Sequence, residues 1–275
     1  MKILNIIIAF TIIGFAMLSC DKIEAPYKEI SDKPVDTTDQ IVKKVLLEDY
    51  TGHKCVNCPS AHDVAHELQG IYGEDNLIVV AIHAGFFATP SGTPYDYDFQ
   101  TEAGTDYNTF FSVQSNPIGM INRISDGGNY LLDTGKWGTE ANKEFGLDAE
   151  LGLEITSDLQ DDMLNGEINF NFASSINQAI SLQIWITEDN IIKAQLAPGG
   201  VIEDYVHNNV LRGAVNGNWG EALASSYSIG DTGTVSFSNY QLGNDWVSSE
   251  LSVVAFIYET DSKRVLQVEK KKIIE

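Results

Sequence analysis

Between residues 61 and 72, apolar residues recur with the period of an α-helix. A strand-like segment at 42–50 leads into a short loop, after which apolar positions recur every three or four residues. Those positions are Ala61, Val64, Ala65, Leu68, Ile71 and Tyr72. The run 76–85, NLIVVAIHAG, is then almost continuously apolar, as expected for a strand buried on both faces. The pattern predicts a strand, a helix and a buried strand.

A long polar and aromatic stretch at 86–114 interrupts this order. A strand candidate with a proline near its start, NPIGMINRI, follows at 116–124, and a helix candidate lies at 135–145. Alternating strands and helices are typical of an α/β domain. We therefore predict an α/β domain over residues 41–148 that carries an insertion at 86–114.

From residue 149 the pattern changes to strict alternation. In EINFNF (167–172) and SLQIWIT (181–187) every second residue is apolar. The segments 251–259 and 263–271 flank a turn-like TDSK and resemble the arms of a hairpin. The sequence thus predicts a mostly-β, sandwich-like domain over residues 149–275.

The first forty residues form a separate class of sequence. A basic start and an apolar run to Leu18 indicate a signal peptide over residues 1–19. The run ends in AMLSC, which resembles the lipobox of bacterial lipoproteins and predicts lipidation at Cys20. Residues 20–40 are polar with no apolar period, so we expect a flexible tether to a membrane.

Charge excludes some partners. The 275 residues include 39 acidic and 17 basic side chains, a net charge of −22. Such a chain repels nucleic acid, so none is expected as a partner. No phosphate-binding loop or Ser-His-Asp motif stands out in the sequence, and no cofactor is expected.

The segment TGHKCVNCPSAH (51–62) carries the main candidate chemistry. Cys55 and Cys58 are two residues apart and precede the predicted helix, whose unpaired N–H groups would stabilise a thiolate. In this interpretation Cys55 is the exposed nucleophile, with His53 and Lys54 adding positive potential, and Cys58 is the resolving cysteine. Outside the cytoplasm the pair is expected to form a disulfide.

Two other interpretations of the pair stay open. Cys55, Cys58, His62 and His66 have zinc-like spacing, but one helix would place the outer ligands about 16 Å apart, too far for one metal ion. A smaller set of both cysteines with His83 could still hold copper or zinc, but we expect no metal at this site. The pair could also be an inert structural disulfide, with His62 and His66 solvated on the helix surface.

Two further features resemble the thioredoxin superfamily. Pro117 precedes a strand about sixty residues after the cysteines, where that superfamily has a cis-proline facing them. Asp49 stands six residues before Cys55, where thioredoxins carry a buried acid that shuttles a proton. Glu48 is adjacent, and alternation along the strand does not decide which of the two points inward.

The chain as a whole resembles a family of outer-membrane lipoproteins of Bacteroidetes-type bacteria, named for a twenty-eight-kilodalton outer membrane protein. The resemblance rests on LEDYTGHKCVNCP, VVAIHAG, NPIGMINR, VHNNVLRGAVNG and FIYETDSKRVLQ, within about residues 43–270. It implies a thioredoxin-like domain fused to a β-rich domain and lipid-anchored at the outer membrane, facing the periplasm or the cell surface. The expected function is thiol–disulfide exchange on envelope or secreted polypeptides. The alternative is a non-enzymatic binding, adhesion or assembly lipoprotein.

Aromatic residues suggest two weaker sites. The aromatic side chains of the insertion could cover a groove beside the cysteines, or they could simply pack onto the domain. They are Tyr95, Tyr97, Phe99, Tyr107, Phe110 and Phe111. Trp219, in VNGNWGE, could stack on a glycan or another cell-surface partner of the β-rich domain, or close one end of a sandwich.

Overall fold

Strands dominate the protein, whose computed structural model describes residues 41–274. The first three are β1 (Val45–Thr51), β2 (Leu77–His83) and β3 (Ile118–Ile121). The others are β4 (Leu151–Gln160), β5 (Met163–Phe172), β6 (Ile180–Glu188), β7 (Ile191–Ala197), β8 (Gly200–His207), β9 (Val210–Ala214), β10 (Glu221–Ala222), β11 (Thr232–Gln241), β12 (Leu251–Glu259) and β13 (Val265–Lys272).

The α-helices of the described residues all precede β4. They are α1 (Cys58–Tyr72), α2 (Glu102–Phe110) and α3 (Trp137–Phe145). Helices α1 and α3 lie where the sequence predicts helices, whereas α2 lies within the insertion, for which no helix is predicted. Short 3₁₀ turns occupy Thr134–Lys136 and Ser248–Glu250. The chain is therefore a mixed α/β protein in which β structure predominates.

The largest sheet has eight strands. Seven of them follow the order β13-β12-β6-β9-β2-β1-β3, and β10 pairs with β6. Strand β1 runs parallel to β2 from Val45 to Thr51 and antiparallel to β3. This parallel pair is the signature of a strand–helix–strand crossover, here through α1.

The two segments that the sequence predicts as separate domains share this sheet. Strand β9 joins them, since it pairs with β2 through Ala81 and Val210 and with β6 on its other edge. The chain from residue 41 onward forms one compact unit. The local apolar pattern gave no sign of this pairing, because it joins strands more than a hundred residues apart.

A second sheet packs on the later strands. It has the order β11-β5-β4, and its inward residues Ile168, Phe170 and Phe172 share a core with Ile184 and Ile186 of β6. The alternation at 167–172 and 181–187 therefore reflects two apolar faces that meet in a sandwich. Strands β12 and β13 form the hairpin predicted at TDSK.

Alternate residues of β1 face two different cores. Leu46 and Tyr50 lie in a cluster with aromatic residues from the later strands, whereas Val45 and Leu47 lie in a cluster with α1 and α3. By the same alternation, adjacent acidic side chains of β1 lie on opposite faces of the sheet.

The predictions for the N-terminal region lie outside the described residues. They comprise the signal peptide at 1–19, lipidation of Cys20 and the tether at 20–40. Within residues 41–274, no helix has the length and apolar character needed to cross a membrane.

Candidate functional site

The Cys55–Cys58 pair forms a disulfide at the start of α1. The loop before it is tight: the Cys55 N–H donates to the Gly52 carbonyl at 2.9 Å, and the Lys54 N–H donates to the Phe87 carbonyl at 3.0 Å. A Cβ at Gly52 would lie 2.5 Å from the Phe87 carbonyl carbon, so only glycine permits this approach. The start of the insertion thus fixes the loop against the sheet.

Both cysteines are buried, contrary to the expectation that Cys55 is exposed. Cys55 is 2% exposed and Cys58 is 0% exposed, while the intervening Val56 is 39% exposed. The β7–β8 hairpin covers the loop, because the buried Gln195 donates from Nε2 to the Cys55 carbonyl at 3.0 Å. The Leu196 N–H also donates to the His53 carbonyl at 2.8 Å. The disulfide therefore lies beneath the hairpin, and the exposed residues between the two cysteines are Val56 and Asn57.

The N-terminus of α1 presents positive potential to the pair. Its cap residue is Asn57, whose side chain accepts no capping hydrogen bond within the described chain, and its first turn carries no acidic residue. Pro59 at the start of the helix lacks an N–H, and the following N–H groups have no helical acceptor. This arrangement favours a thiolate beside the helix start.

The sequence analysis expected His53 to add positive potential, and the structure shows that it does not. Its side chain is 1% exposed, and burial, helped by Lys54, lowers its pKa to about 4. The imidazole is therefore neutral near pH 7. The Lys54 ammonium lies 5.2 Å from the ring centre of the exposed Phe86.

The structure resolves which acid of β1 faces the helix. Asp49 lies on the α1 side, is 1% exposed, and has its Oδ2 3.5 Å from Nε2 of His62, one turn after Cys58. Burial raises the pKa of Asp49 to about 8. Its Oδ1 has no hydrogen-bond partner anywhere in residues 41–274. A buried acid poised near neutral pH is a candidate proton carrier.

Glu48 faces the opposite side and is neutralised. Its carboxylate accepts two hydrogen bonds from Arg123, at 2.7 and 2.9 Å, and both side chains are almost fully buried. The guanidinium lies within 5.9 Å of six aromatic ring centres. Burial opposes the charge on Arg123, but Glu48 raises the pKa of Arg123 above its ordinary value. This pair is structural, which leaves Asp49 as the acid of β1 that faces α1.

His62 is held in place rather than solvated. Its Nε2 lies 3.0 Å from the Thr51 hydroxyl, and its Nδ1 lies 2.7 Å from the Tyr205 hydroxyl of β8. Burial lowers the pKa of His62 to about 4, so this ring is also neutral near pH 7. By contrast, His66 is exposed, as expected.

A buried histidine cluster escaped the sequence interpretation. His53, His83 and His207 surround Phe99, with ring centres 5.7, 4.4 and 4.6 Å from it. Burial lowers the pKa of His83 well below its ordinary value and that of His207 to about 3. The cluster is therefore neutral near pH 7 and joins the insertion to β2 and β8. His207 lies too far along the chain for any local pattern to link it with His53.

The described residues provide no group of three or more His, Cys, Asp or Glu side chains placed to hold a metal ion. The cysteines are consumed by the disulfide, and His62 is directed at Thr51 and Tyr205. Neither set proposed from spacing forms a metal site in this oxidised state.

The Asn116–Pro117 peptide bond is cis, as the sequence suggested. The Asn116 side chain donates from Nδ2 to the Thr51 carbonyl at 2.9 Å, which ties the start of β3 to the end of β1. A second cis bond, Thr93–Pro94, lies in the insertion. Pro117 thus stands beside the end of the strand that leads into the cysteine loop.

Aromatic residues of the insertion mainly pack. Phe99, Tyr107 and Phe111 are buried, whereas Phe110 is 51% exposed. The half-buried Trp219 packs with ring centres 4.9 Å from those of Tyr107 and Phe110. The aromatic residues of the insertion therefore mainly pack onto the domain, and Trp219 packs against α2 rather than closing an end of the sandwich.

Solved structures share the fold. HBP35 of Porphyromonas gingivalis is 14% identical and superimposes with a TM-score of 0.66 over 85% of this chain and 76% of that one. A protein from Agrobacterium tumefaciens is 10% identical, with a TM-score of 0.51 over 86% of this chain and 97% of that one. At these identities the likeness concerns the fold alone.

A family model described as outer membrane protein Omp28 matches residues 104–275. The match includes Pro117 but begins after Cys55 and Cys58, so it does not extend to the disulfide. Comparison with curated proteins gave no match. The family resemblance drawn from the sequence is confirmed. Because the match covers more than half of the 275 residues, the chain belongs to the outer membrane protein Omp28 family and is a protein of the outer membrane.

Proposed function

We propose that this protein is a thiol–disulfide oxidoreductase of the cell envelope, lipid-anchored through Cys20. The observation that carries the proposal is the placement of the Cys55–Cys58 disulfide at the start of α1, on the same side of the sheet as Asp49. A structural disulfide gains nothing from a buried, unpaired carboxyl, whereas exchange needs a proton carrier. The parallel β1–β2 pair, the antiparallel β3 and cis-Pro117 support a thioredoxin-like arrangement around the site.

The reaction has two balanced steps. In the reduced protein the Cys55 thiolate attacks one sulfur of a substrate disulfide, and the other substrate sulfur leaves as a thiolate. Cys58 then loses its proton to Asp49 and attacks the Cys55 sulfur, which restores the Cys55–Cys58 disulfide and releases the second substrate thiol. The substrate gains two electrons and the protein loses two. In reverse, the oxidised pair forms a disulfide in a dithiol substrate.

One observation favours a second candidate, a binding or assembly lipoprotein with an inert disulfide. Both cysteines are buried beneath the hairpin that carries Gln195. On this account partners bind elsewhere on the acidic surface, a cell-surface glycan at the β-rich part among them, and a variant lacking both cysteines keeps its function.

A trapping experiment separates the two candidates. In Cys58→Ala the mixed disulfide at Cys55 cannot be resolved, so we expect reductant-sensitive adducts with envelope proteins on non-reducing gels. Cys55→Ala is the matched control, because it keeps only Cys58 of the pair, and Cys58 is fully buried. Absence of adducts from Cys58→Ala, or equal amounts from both variants, contradicts exchange at this site.

A further inference from the structure

A cavity of about 320 Å³ lies between α1 and the C-terminal end of β8. Its floor is the sheet surface at β1 and β2, and the helix and the strand form its two sides. The lining residues are Asp49, His62, Asp63, Ala65, His66, Gln69, Val79, Ala81, Tyr205, Val206, Asn208 and Asn209. The cavity therefore adjoins the candidate redox site through Asp49 and His62.

Two aspartates line the cavity, and no lysine or arginine is among its lining residues. Asp49 lines it, and the Oδ1 atom of this buried carboxyl accepts no hydrogen bond from any residue in the range 41–274. Asp63 lies exposed at its rim, and no ion pair to Asp63 occurs in that same range. His62 is neutral near pH 7 because burial lowers its pKa to about 4. An unpaired buried oxygen of this kind is available to a donor that enters the cavity.

The other walls suit an aliphatic stem. Ala65 projects from α1, Val79 and Ala81 from β2, and Val206 from β8. Lysine and arginine combine an apolar stem with a cationic donor group, and they bury the stem against such surfaces. The cavity thus offers an apolar passage that leads to a carboxyl acceptor.

A second cavity continues the first, and the two together offer far more room than a single ion fills. It measures about 500 Å³ and shares His66, Gln69, Asn208 and Asn209 with the first. The buried Ser252 lines it, and the hydroxyl of Ser252 lacks a partner in the part of the chain described. Its lysines, Lys270 and Lys272, are paired with Asp189, so the end of the joined cavities, hereafter the groove, that can accept a cation is the one at Asp49.

We propose that this groove binds a polypeptide segment and that the cavity at Asp49 takes the segment's lysine or arginine side chain. The inference rests on the proposed function in one respect, that the segment belongs to a client of the neighbouring cysteine pair. The positive charge of that lysine or arginine complements the protein's net charge of −22, which attracts cationic partners.

Cysteine-free peptides test this groove without involving the redox reaction. The probes are acetyl-Ala-Ala-Arg-Ala-Ala-amide and the same peptide with citrulline, a neutral isostere, in place of arginine, titrated calorimetrically into the oxidised full chain. We expect the arginine peptide to bind at least about tenfold more tightly, since the guanidinium makes charge-assisted hydrogen bonds that the neutral citrulline cannot make. Asp49→Asn and Asp63→Asn should each weaken it about fivefold or more, whereas Asp158→Asn, exposed on β4, should not.

Three results overturn the inference: no binding of the arginine peptide, equal binding of both peptides, or arginine binding unaffected by Asp49→Asn and Asp63→Asn. The outcomes are independent of the trapping experiment. Adducts at Cys55 without arginine preference would refute the groove and keep the exchange reaction. Arginine binding without adducts would refute exchange and keep the groove.

Discussion

Replacing Arg123 by alanine is expected to lower the free energy of unfolding by about 3–5 kcal/mol. The change leaves the Glu48 carboxylate buried without its bidentate partner, and removal of one partner of a buried pair costs this much. It also empties the space between six aromatic rings. Urea unfolding followed by tryptophan fluorescence measures the effect.

Two variants serve as controls for this prediction. Lys143→Ala breaks a pair with Glu140 in which the lysine side chain is 64% exposed, so it should cost no more than about 0.5 kcal/mol. The double variant Glu48→Met/Arg123→Met should recover much of the loss, because it leaves no unpaired charge in the core. A loss below about 1 kcal/mol for Arg123→Ala would show that the pair does not hold β1 to β3.

Replacing Asp49 by asparagine should stabilise the fold and impair the chemistry. Burial raises the Asp49 pKa to about 8, against about 3.9 for an unfolded chain. Between those values the folded state binds the extra proton, so the wild type loses stability as pH rises from about 4 to 8. Asparagine does not titrate, so Asp49→Asn does not lose stability in this way as pH rises. We expect it to be more stable by about 2–5 kcal/mol at pH 8 and equally stable at pH 4.

The same variant should slow the resolving step by about 100-fold, the usual contribution of a general base. The measurement starts from a mixed disulfide between Cys55 and a chromogenic aromatic thiol and follows release of that thiol when Cys58 attacks. The wild-type rate should rise with pH up to about 8 as Asp49 ionises, whereas in Asp49→Asn only the rise that comes from ionisation of the Cys58 thiol itself should remain. Asp158→Asn is the matched surface control. An unchanged rate together with an unchanged stability profile would remove Asp49 from the mechanism.

The local pattern of apolar residues predicted α1 and β5 correctly. The three-to-four period after Cys58 marks α1 because Ala61, Ala65 and Leu68 pack on one face of the sheet. Alternation at 167–172 marks β5 for the corresponding reason, since its inward residues fill the sandwich core. Both signals are local, and both elements lie where they were predicted.

Long-range features were not accessible in the same way. The pairing of β2 with β9, which merges the two predicted domains, depends on residues more than a hundred positions apart. Burial of Cys55 depends on Gln195, whose position above the loop has no signature near the cysteines. The choice between Glu48 and Asp49 likewise required Arg123, which pairs with Glu48 on one face of the sheet while Asp49 faces α1 and His62 on the other.

The reduction potential of the Cys55–Cys58 pair tests the central claim most directly. Helix α1 favours the thiolate of the reduced form, so we expect a potential above about −270 mV, in the range of working dithiol proteins. Equilibration of the full chain with glutathione or dithiothreitol buffers, followed by thiol alkylation, gives the value. A potential at or below about −300 mV, typical of structural disulfides, would contradict exchange at this site.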